Sequence, residues 1–267
     1  MKSTFYLPIA ALACAVLTGC SVKESTISQP EPVSELISQI RTEQRSGDVA
    51  ITTFFYDEQQ RVKQQITTLV DTDTQVSSSV REFVYGNGRI DIGTDNGEPL
   101  TLLLDEEGYA RELVSGDRTL ASYHYNANGY YYEPEQTEGR WSDYQYLLAG
   151  DRCNLAMIKK YGPGQSSVVP KLLSTTIFEY GDLANDANLN LSYLIAQESH
   201  GDNTFPMLYG WGGKRDSDLP KMRRTEDSAQ EVEYRYTYET DDADRITRIT
   251  EKDDTGATIN TYTISYK

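Results

Sequence analysis

The 267-residue sequence predicts an all-β protein. The form expected is a large antiparallel meander of sequential hairpins making a strongly bent sheet or open barrel, with one short helix in a late excursion. Three observations carry this. A motif of aromatic or apolar strand end, polar turn and returning cation or tyrosine recurs along the chain. Residues flanking the turns alternate with period two, while long amphipathic helical patterns are absent. Tyrosine outnumbers phenylalanine 20 to 6, which suits sheet margins where a ring is buried and its hydroxyl reaches water.

In chain order, the stretch from Leu36 to Arg45 reads equally as a short helix or a first strand. The motif then appears as "FFYDEQQRVKQQI" (Phe54 to Ile66), "FVYGNGRIDI" (Phe83 to Ile92), "LLLDEEGYARELV" (Leu102 to Val114), "SYHYNANGYYYE" (Ser122 to Glu133) and "YTYETDDADRITRI" (Tyr236 to Ile249). Gly and Asn accept positive φ, and Asp and Asn side chains satisfy turn amides, so each polar cluster is a turn. Tyr234, Tyr236 and Tyr238 share one strand face, as do Tyr262, Ile264 and Tyr266. The cation that opens a return strand can lie against a carboxylate across the pair or over a tyrosine ring. Ile246 and Ile249 fall on opposite faces, which predicts a bulge there or a strand buried on both sides. Recurrence at roughly 20 to 30 residues fits a meander.

Asp182 to Arg224 breaks the pattern. It predicts a short helix over Leu189 to Gln197, followed by a glycine-rich "YGWGGK" that marks a tight crossing of backbones. Long excursions on β scaffolds often carry function. Residues 36–267 are expected to form a single β-rich domain.

The N-terminus reads as an address. Lys2 supplies a positive charge and Phe5 to Val16 an apolar run too short to span a bilayer, so residues 1–19 are expected to be a signal peptide. Leu17-Thr18-Gly19-Cys20 resembles the bacterial lipobox, which implies cleavage before Cys20 and lipidation of its thiol. More than one acyl chain there would anchor the protein stably. Residues 20–35, polar with two prolines, are expected to be a flexible tether. Ser21 in place of Asp favours the outer membrane, with the periplasmic and surface faces both open.

Composition bounds the partners. The formal net charge of −16 argues against nucleic acid and anionic headgroups. After loss of Cys14 and lipidation of Cys20, Cys153 stands alone and is expected to be a small buried hydrophobe. No cofactor or metal is expected. "DANLNLS" (Asp186 to Ser192) alternates oxygen ligands but lacks the glycine and terminal glutamate of a calcium loop, so helix capping or an Asx-turn is the plainer reading. No catalytic residue is assigned. Tyr123, Tyr125, Tyr130, Tyr132, Trp141, Tyr144 and Tyr146, with Tyr131 among them, are the candidate ligand-binding aromatics, against the alternative that alternate rings are core.

Two features look like known families. The "YD…GR(I/V)" hairpins resemble the YD repeats of Rhs-type shells. Asn188-Leu189-Asn190-Leu191, Gly213-Lys214 and Asp218-Leu219-Pro220-Lys221, in that order before the final hairpin, resemble a family of bacterial lipoproteins of unknown function with a porin-like fold. Asp218 departs from that pattern, which has asparagine. The resemblance implies a barrel-like fold and an envelope location, and no activity. The expectation is a lipid-anchored envelope protein that binds a glycan or a protein, or serves as a scaffold. The alternative is a glycan hydrolase using paired carboxylates, which a cleft holding two carboxyls about 5–10 Å apart would favour. The oligomeric state is left open by the sequence.

Overall fold

The structure, a computed structural model, describes residues 36–71, 76–95, 97–134, 139–163, 170–201 and 203–267. The expected leader, Cys20 and the tether 20–35 lie outside the described residues. Four long strands come first: β1 (Ile37–Gln44), β2 (Val49–Tyr56), β3 (Val62–Val70) and β4 (Val76–Gly86). Shorter ones follow, β5 (Arg89–Thr94), β6 (Leu100–Leu104), β7 (Ala110–Ser115) and β8 (Arg118–Ser122). A small ribbon, β9 (His124–Tyr125) with β10 (Tyr131–Tyr132), precedes β11 (Trp141–Ala149), β12 (Arg152–Gly162) and β13 (Lys171–Ala184). After the excursion come β14 (Asp218–Asp227), β15 (Glu231–Thr240), β16 (Ile246–Asp253) and β17 (Thr258–Tyr266).

Fifteen of these strands form one antiparallel sheet, the ribbon standing apart. The last strand pairs with the first, Ile40 opposite Ile264 and Thr42 opposite Tyr262. The sheet's two edges are therefore internal strands, β8 and β11, and it does not close. The ambiguous stretch after Leu36 is a strand, because its neighbours β2 and β17 both pair with it.

Four of the five predicted motifs, and a further turn at Asp253, fold the same way, while Phe83–Ile92 turns instead through the two residues between Gly86 and Arg89. Asp57, Asp105, Asn126, Asp241 and Asp253 each accept, on one side-chain oxygen, the amides two and four residues on, at 2.8–3.1 Å. The residue three on is left-handed each time: Gly108, Gly129 and Gly256, but also Gln60 (φ 61°) and Asp244 (φ 60°). This is the type I turn with a left-handed residue that joins strands through a three-residue loop and a bulge. Register shifts sit beside four of these turns, at Phe55/Tyr56, Leu103/Leu104, Glu239/Thr240 and Glu251/Lys252. The third of them resolves the Ile246/Ile249 irregularity, leaving both residues buried.

The returning arginine makes both contacts at once. Arg61 Nε donates to Asp57 at 2.8 Å while its guanidinium lies 4.0 Å over the Tyr85 ring. Arg245 repeats this with Asp241 (2.7 Å) and Tyr266 (4.9 Å). Tyrosine abounds for a different reason than wet margins. The hydroxyls of Tyr56, Tyr85, Tyr125, Tyr238 and Tyr266 donate to the carbonyls of Ile37, Val62, Ala110, Pro220 and Ile246, at 2.5–3.0 Å. All but Pro220 open a neighbouring strand. A ring in the interior needs a partner for its hydroxyl, and strand-end carbonyls supply it.

The excursion does not stand outside the scaffold. Residues 185–217 run through the interior, and the sheet curls around them. Asn190 caps α1 (Leu191–Ala196) by accepting from the Tyr193 amide. The helical geometry continues through a 3-10 turn, Gln197–Ser199, so the helix predicted over Leu189 to Gln197 is found, starting two residues later and ending two residues later. A second 3-10 turn, Phe205–Tyr209, leads into the glycines. Gly213 sits where an added Cβ would be 2.7 Å from the Gly129 carbonyl oxygen and the Tyr125 ring, so the crossing requires glycine. From the excursion, Ser199 reaches Arg223 of β14, Tyr209 reaches Gln65 of β3, and Trp211 stacks edge-on to Phe83 of β4. Leu189, Leu191 and Ile195 join Ile37, Phe83, Leu113, Ile158 and Ile249 in one continuous core.

Candidate functional site

An odd number of strands, each antiparallel to the next, leaves the two edges β8 and β11 running in the same direction. The seam between them is filled in two ways. Toward the Asn126 turn, the ribbon bridges it: β10 pairs with β9, and the rings of Tyr130 and Tyr131 meet Tyr146 (4.9 Å) and Tyr144 (5.0 Å) of β11. Toward the other end lies an open cavity of about 900 Å³. Thr119–Ser122 of β8 line one side of it and Trp141 and Ser142 of β11 the other.

Trp141 and Tyr161 border the cavity at its rim, from the sheet's outer face, since their neighbours Ser142 and Lys160, in phase with Tyr144 and Ile158 of the core, face inward. They are paired across β11 and β12, with ring centroids 4.4 Å apart and planes within 11°. Both are half-buried, so each leaves ring surface available. Beside them, Glu133 accepts the Ser142 amide on Oε2 (2.5 Å) and the Tyr131 hydroxyl on Oε1 (3.1 Å). Burial pushes its carboxyl above the usual range. A Cβ at residue 201 would come within 2.5 Å of Glu133 Oε1, so Gly201 is what permits the approach. His200 lies between Tyr144 and Tyr193, at 5.8 and 4.9 Å. Burial, with Lys160 and Arg223 nearby, pushes its pKa down to about 3, so it is neutral at physiological pH.

Glu133 has both oxygens engaged, and His200 does not titrate near neutrality. Asp227, the other carboxylate on the cavity wall, is taken up by its own turn, accepting the Ala229 and Gln230 amides at 2.7 and 2.9 Å. Among the described residues, no group of three or more His, Cys, Asp or Glu is placed to hold a metal ion.

The aromatic residues singled out in the sequence divide sharply. Tyr123, Tyr130, Tyr131 and Tyr144 are buried, and Tyr125 and Tyr146 pack against the core. Tyr125 also spends its hydroxyl on the Ala110 carbonyl. These six rings do not make an exposed platform, because they fill the space where the ribbon meets the sheet. Tyr132 is 38% exposed against His124, and Trp141 is half-buried like Tyr125 and Tyr146 but, unlike them, is not packed against the core. Sequence reasoning missed Tyr161 and Glu133. Tyr161 was out of reach, because counting back from the Gly150-Asp151 turn sets Lys160 opposite Trp141, and only the extra residue of the bulge at Gln145/Tyr146 brings Tyr161 there. Glu133 carried no signal, since its role depends on a fold that brings Ser142 to it. Cys153 is buried, and burial raises its thiol pKa.

No protein-family model matches the chain, and no curated protein does. The fold is similar to that of a solved porin-like protein from Bacteroides vulgatus, at 16% identity and a TM-score of 0.51, covering 87% of this chain and 99% of that one. A porin-like protein from Bacteroides uniformis aligns at 15% identity and a TM-score of 0.47, covering 86% and 97%. The similarity is one of fold. The lipoprotein-family and YD-repeat resemblances read from short motifs find no matching family model.

Proposed function

We propose that the protein is a non-catalytic binding module of the bacterial cell envelope that holds a glycan or polypeptide ligand in the seam cavity. One observation carries this reading: the Trp141–Tyr161 stack stands at the rim of an open cavity of about 900 Å³. That volume lies within the range of ligand sites, and half-buried rings bury ligand area at low entropy cost.

Attachment through lipid on Cys20 completes the proposal, with the outer membrane as destination. The outer face of the sheet supports lipid attachment over insertion. It carries exposed ion pairs such as Lys221–Glu179 and Arg224–Glu231, and the Gln64–Glu82 contact. A lipid-facing barrel needs an apolar outward band. Replacement of Cys20 by Ala should abolish palmitate incorporation and detergent partitioning. Persistence of either would remove the anchor from the reading.

The binding site is tested by fluorescence on a Trp211→Phe background, which leaves Trp141 as the sole tryptophan. Titration with linear oligosaccharides and with peptides should shift the Trp141 emission for one of them. A flat response to both classes would remove the cavity as a site.

A further inference from the structure

We infer that the ligand of the seam cavity is an extended polypeptide segment that inserts as a strand between β8 and β11. This deepens the proposed function to a class of ligand, and it rests on the cavity being a binding site. Three observations point there.

The first is direction. β8 and β11 run the same way, so they cannot close on each other as an antiparallel pair. One strand running oppositely would be antiparallel to both. It would complete an all-antiparallel cylinder with an even strand count and pair both open edges.

The second is the chain's own precedent. β10 lies farther along the seam, antiparallel to β9, the short strand that follows β8, and packed by Tyr130 and Tyr131 against β11. It supplies only two residues, Tyr131 and Tyr132, and Glu133 and Pro134 after them line the cavity.

The third is an amide already capped from the seam. Ser142 N–H of edge strand β11 is taken by the Glu133 carboxylate at 2.5 Å. A side chain stands there in the place of a ladder carbonyl, which shows that backbone donors of β11 face the gap. A buried amide needs an acceptor, and Glu133 meets this need at one position only.

The expected ligand is defined by the walls. β8 spans five residues, roughly 17 Å of strand, so a segment of about that length fits. Side chains on its inner face meet Leu120, Ser142 and His200, and those on its outer face meet the Trp141–Tyr161 pair. The recognised sequence therefore alternates apolar or aromatic with polar residues, in the manner of strand addition to a sheet edge.

The test uses the full chain in detergent and a displayed library of random heptapeptides. Selection should enrich alternating sequences, and their binding should protect amides of both Thr119–Ser122 and Trp141 from hydrogen exchange. Each enriched peptide is then made with alternate amides N-methylated, in both registers. A strand paired on both sides uses every amide, so either register should weaken binding at least tenfold. Weakening by one register alone means addition to a single edge and overturns insertion. No enrichment, or protection elsewhere, also overturns it. If linear hexasaccharides shift Trp141 emission while peptides do not, the cavity stands as a binding site and strand insertion falls. If neither does, both fall together.

Discussion

Arg223 Nη2 lies 3.0 Å from Glu251 Oε1, and the two side chains are 1% and 2% exposed. The same nitrogen is 2.6 Å from Glu198, and Arg223 Nη1 donates to Ser199 Oγ at 2.9 Å. Glu251 in turn accepts from the Tyr236 hydroxyl and the Asn260 amide. The pair thus joins β14 and β16 of the sheet wall to the end of the interior helix. It holds the excursion in place at a point where apolar contact alone would allow it to slide.

Removing one partner leaves the other charge buried and alone. Arg223→Met should cost about 3–5 kcal/mol, and Arg223→Met with Glu251→Leu should cost much less than the sum of the single changes. Urea denaturation of the three variants measures this. A single-variant loss under about 1 kcal/mol would show that water reaches the site and that the pair is not a fastening.

The five repeated turns allow a stabilising change to be predicted. Gln60 and Asp244 hold the left-handed position that glycine fills in the other three. Gln60→Gly and Asp244→Gly should each raise stability by about 0.5–1 kcal/mol, since the strain removed exceeds the entropy glycine adds to the unfolded chain. Gly108→Ala should lower it by a similar amount. Thermal melts of these variants should separate in that order. If both glycine substitutions destabilise, the left-handed residue is not where the turn stores strain.

These turns also show what was legible in the sequence. An Asp or Asn with amides two and four residues on is local chemistry, so these five hairpins carry their own signal, and four of them stood out in the sequence. The Arg61 and Arg245 contacts were readable for the same reason. The excursion was not, because "NLNLSYLIAQ" shows a short helix without showing that it lies inside the sheet. The fate of the aromatic cluster was hidden likewise. Tyr130 and Tyr131 look alike beside Trp141 in sequence, and only the meeting of the ribbon with β11 buries the tyrosines while leaving the tryptophan at the cavity.

Asp216 gives a pH prediction. It accepts the Leu155 amide (2.7 Å) and the hydroxyls of Ser192 (2.9 Å) and Tyr180 (3.0 Å), yet burial pushes its pKa up to about 6. The folded form binds this proton more tightly than the unfolded chain, whose carboxyl titrates near 4. Stability from this group is therefore full below about pH 4 and is lost as pH rises to about 6. Other carboxylates of this acidic chain act too, so the measure is the difference from Asp216→Asn. Between pH 4 and 7 the variant should gain about 2 kcal/mol relative to the parent. A difference that is constant with pH would place the Asp216 pKa near its ordinary value.

Trp141→Ala separates packing from binding. The ring is half-buried, and its stack on Tyr161 is worth about 0.5–1.5 kcal/mol beyond area. A core tryptophan would cost about 3–5 kcal/mol on truncation. The expected loss of stability lies between these, at about 1–2 kcal/mol, because only one face of the ring is packed. Ligand affinity should fall by about 1–3 kcal/mol as well, the effect of removing an anchor residue. Tyr132, the other exposed aromatic, does not line the cavity although the His124 it packs against does, so Tyr132→Ala should leave affinity within about 0.5 kcal/mol. A Trp141→Ala variant that loses 3 kcal/mol or more of stability would make the ring a structural support of β11. The cavity would then lose the rim on which its reading as a binding site depends.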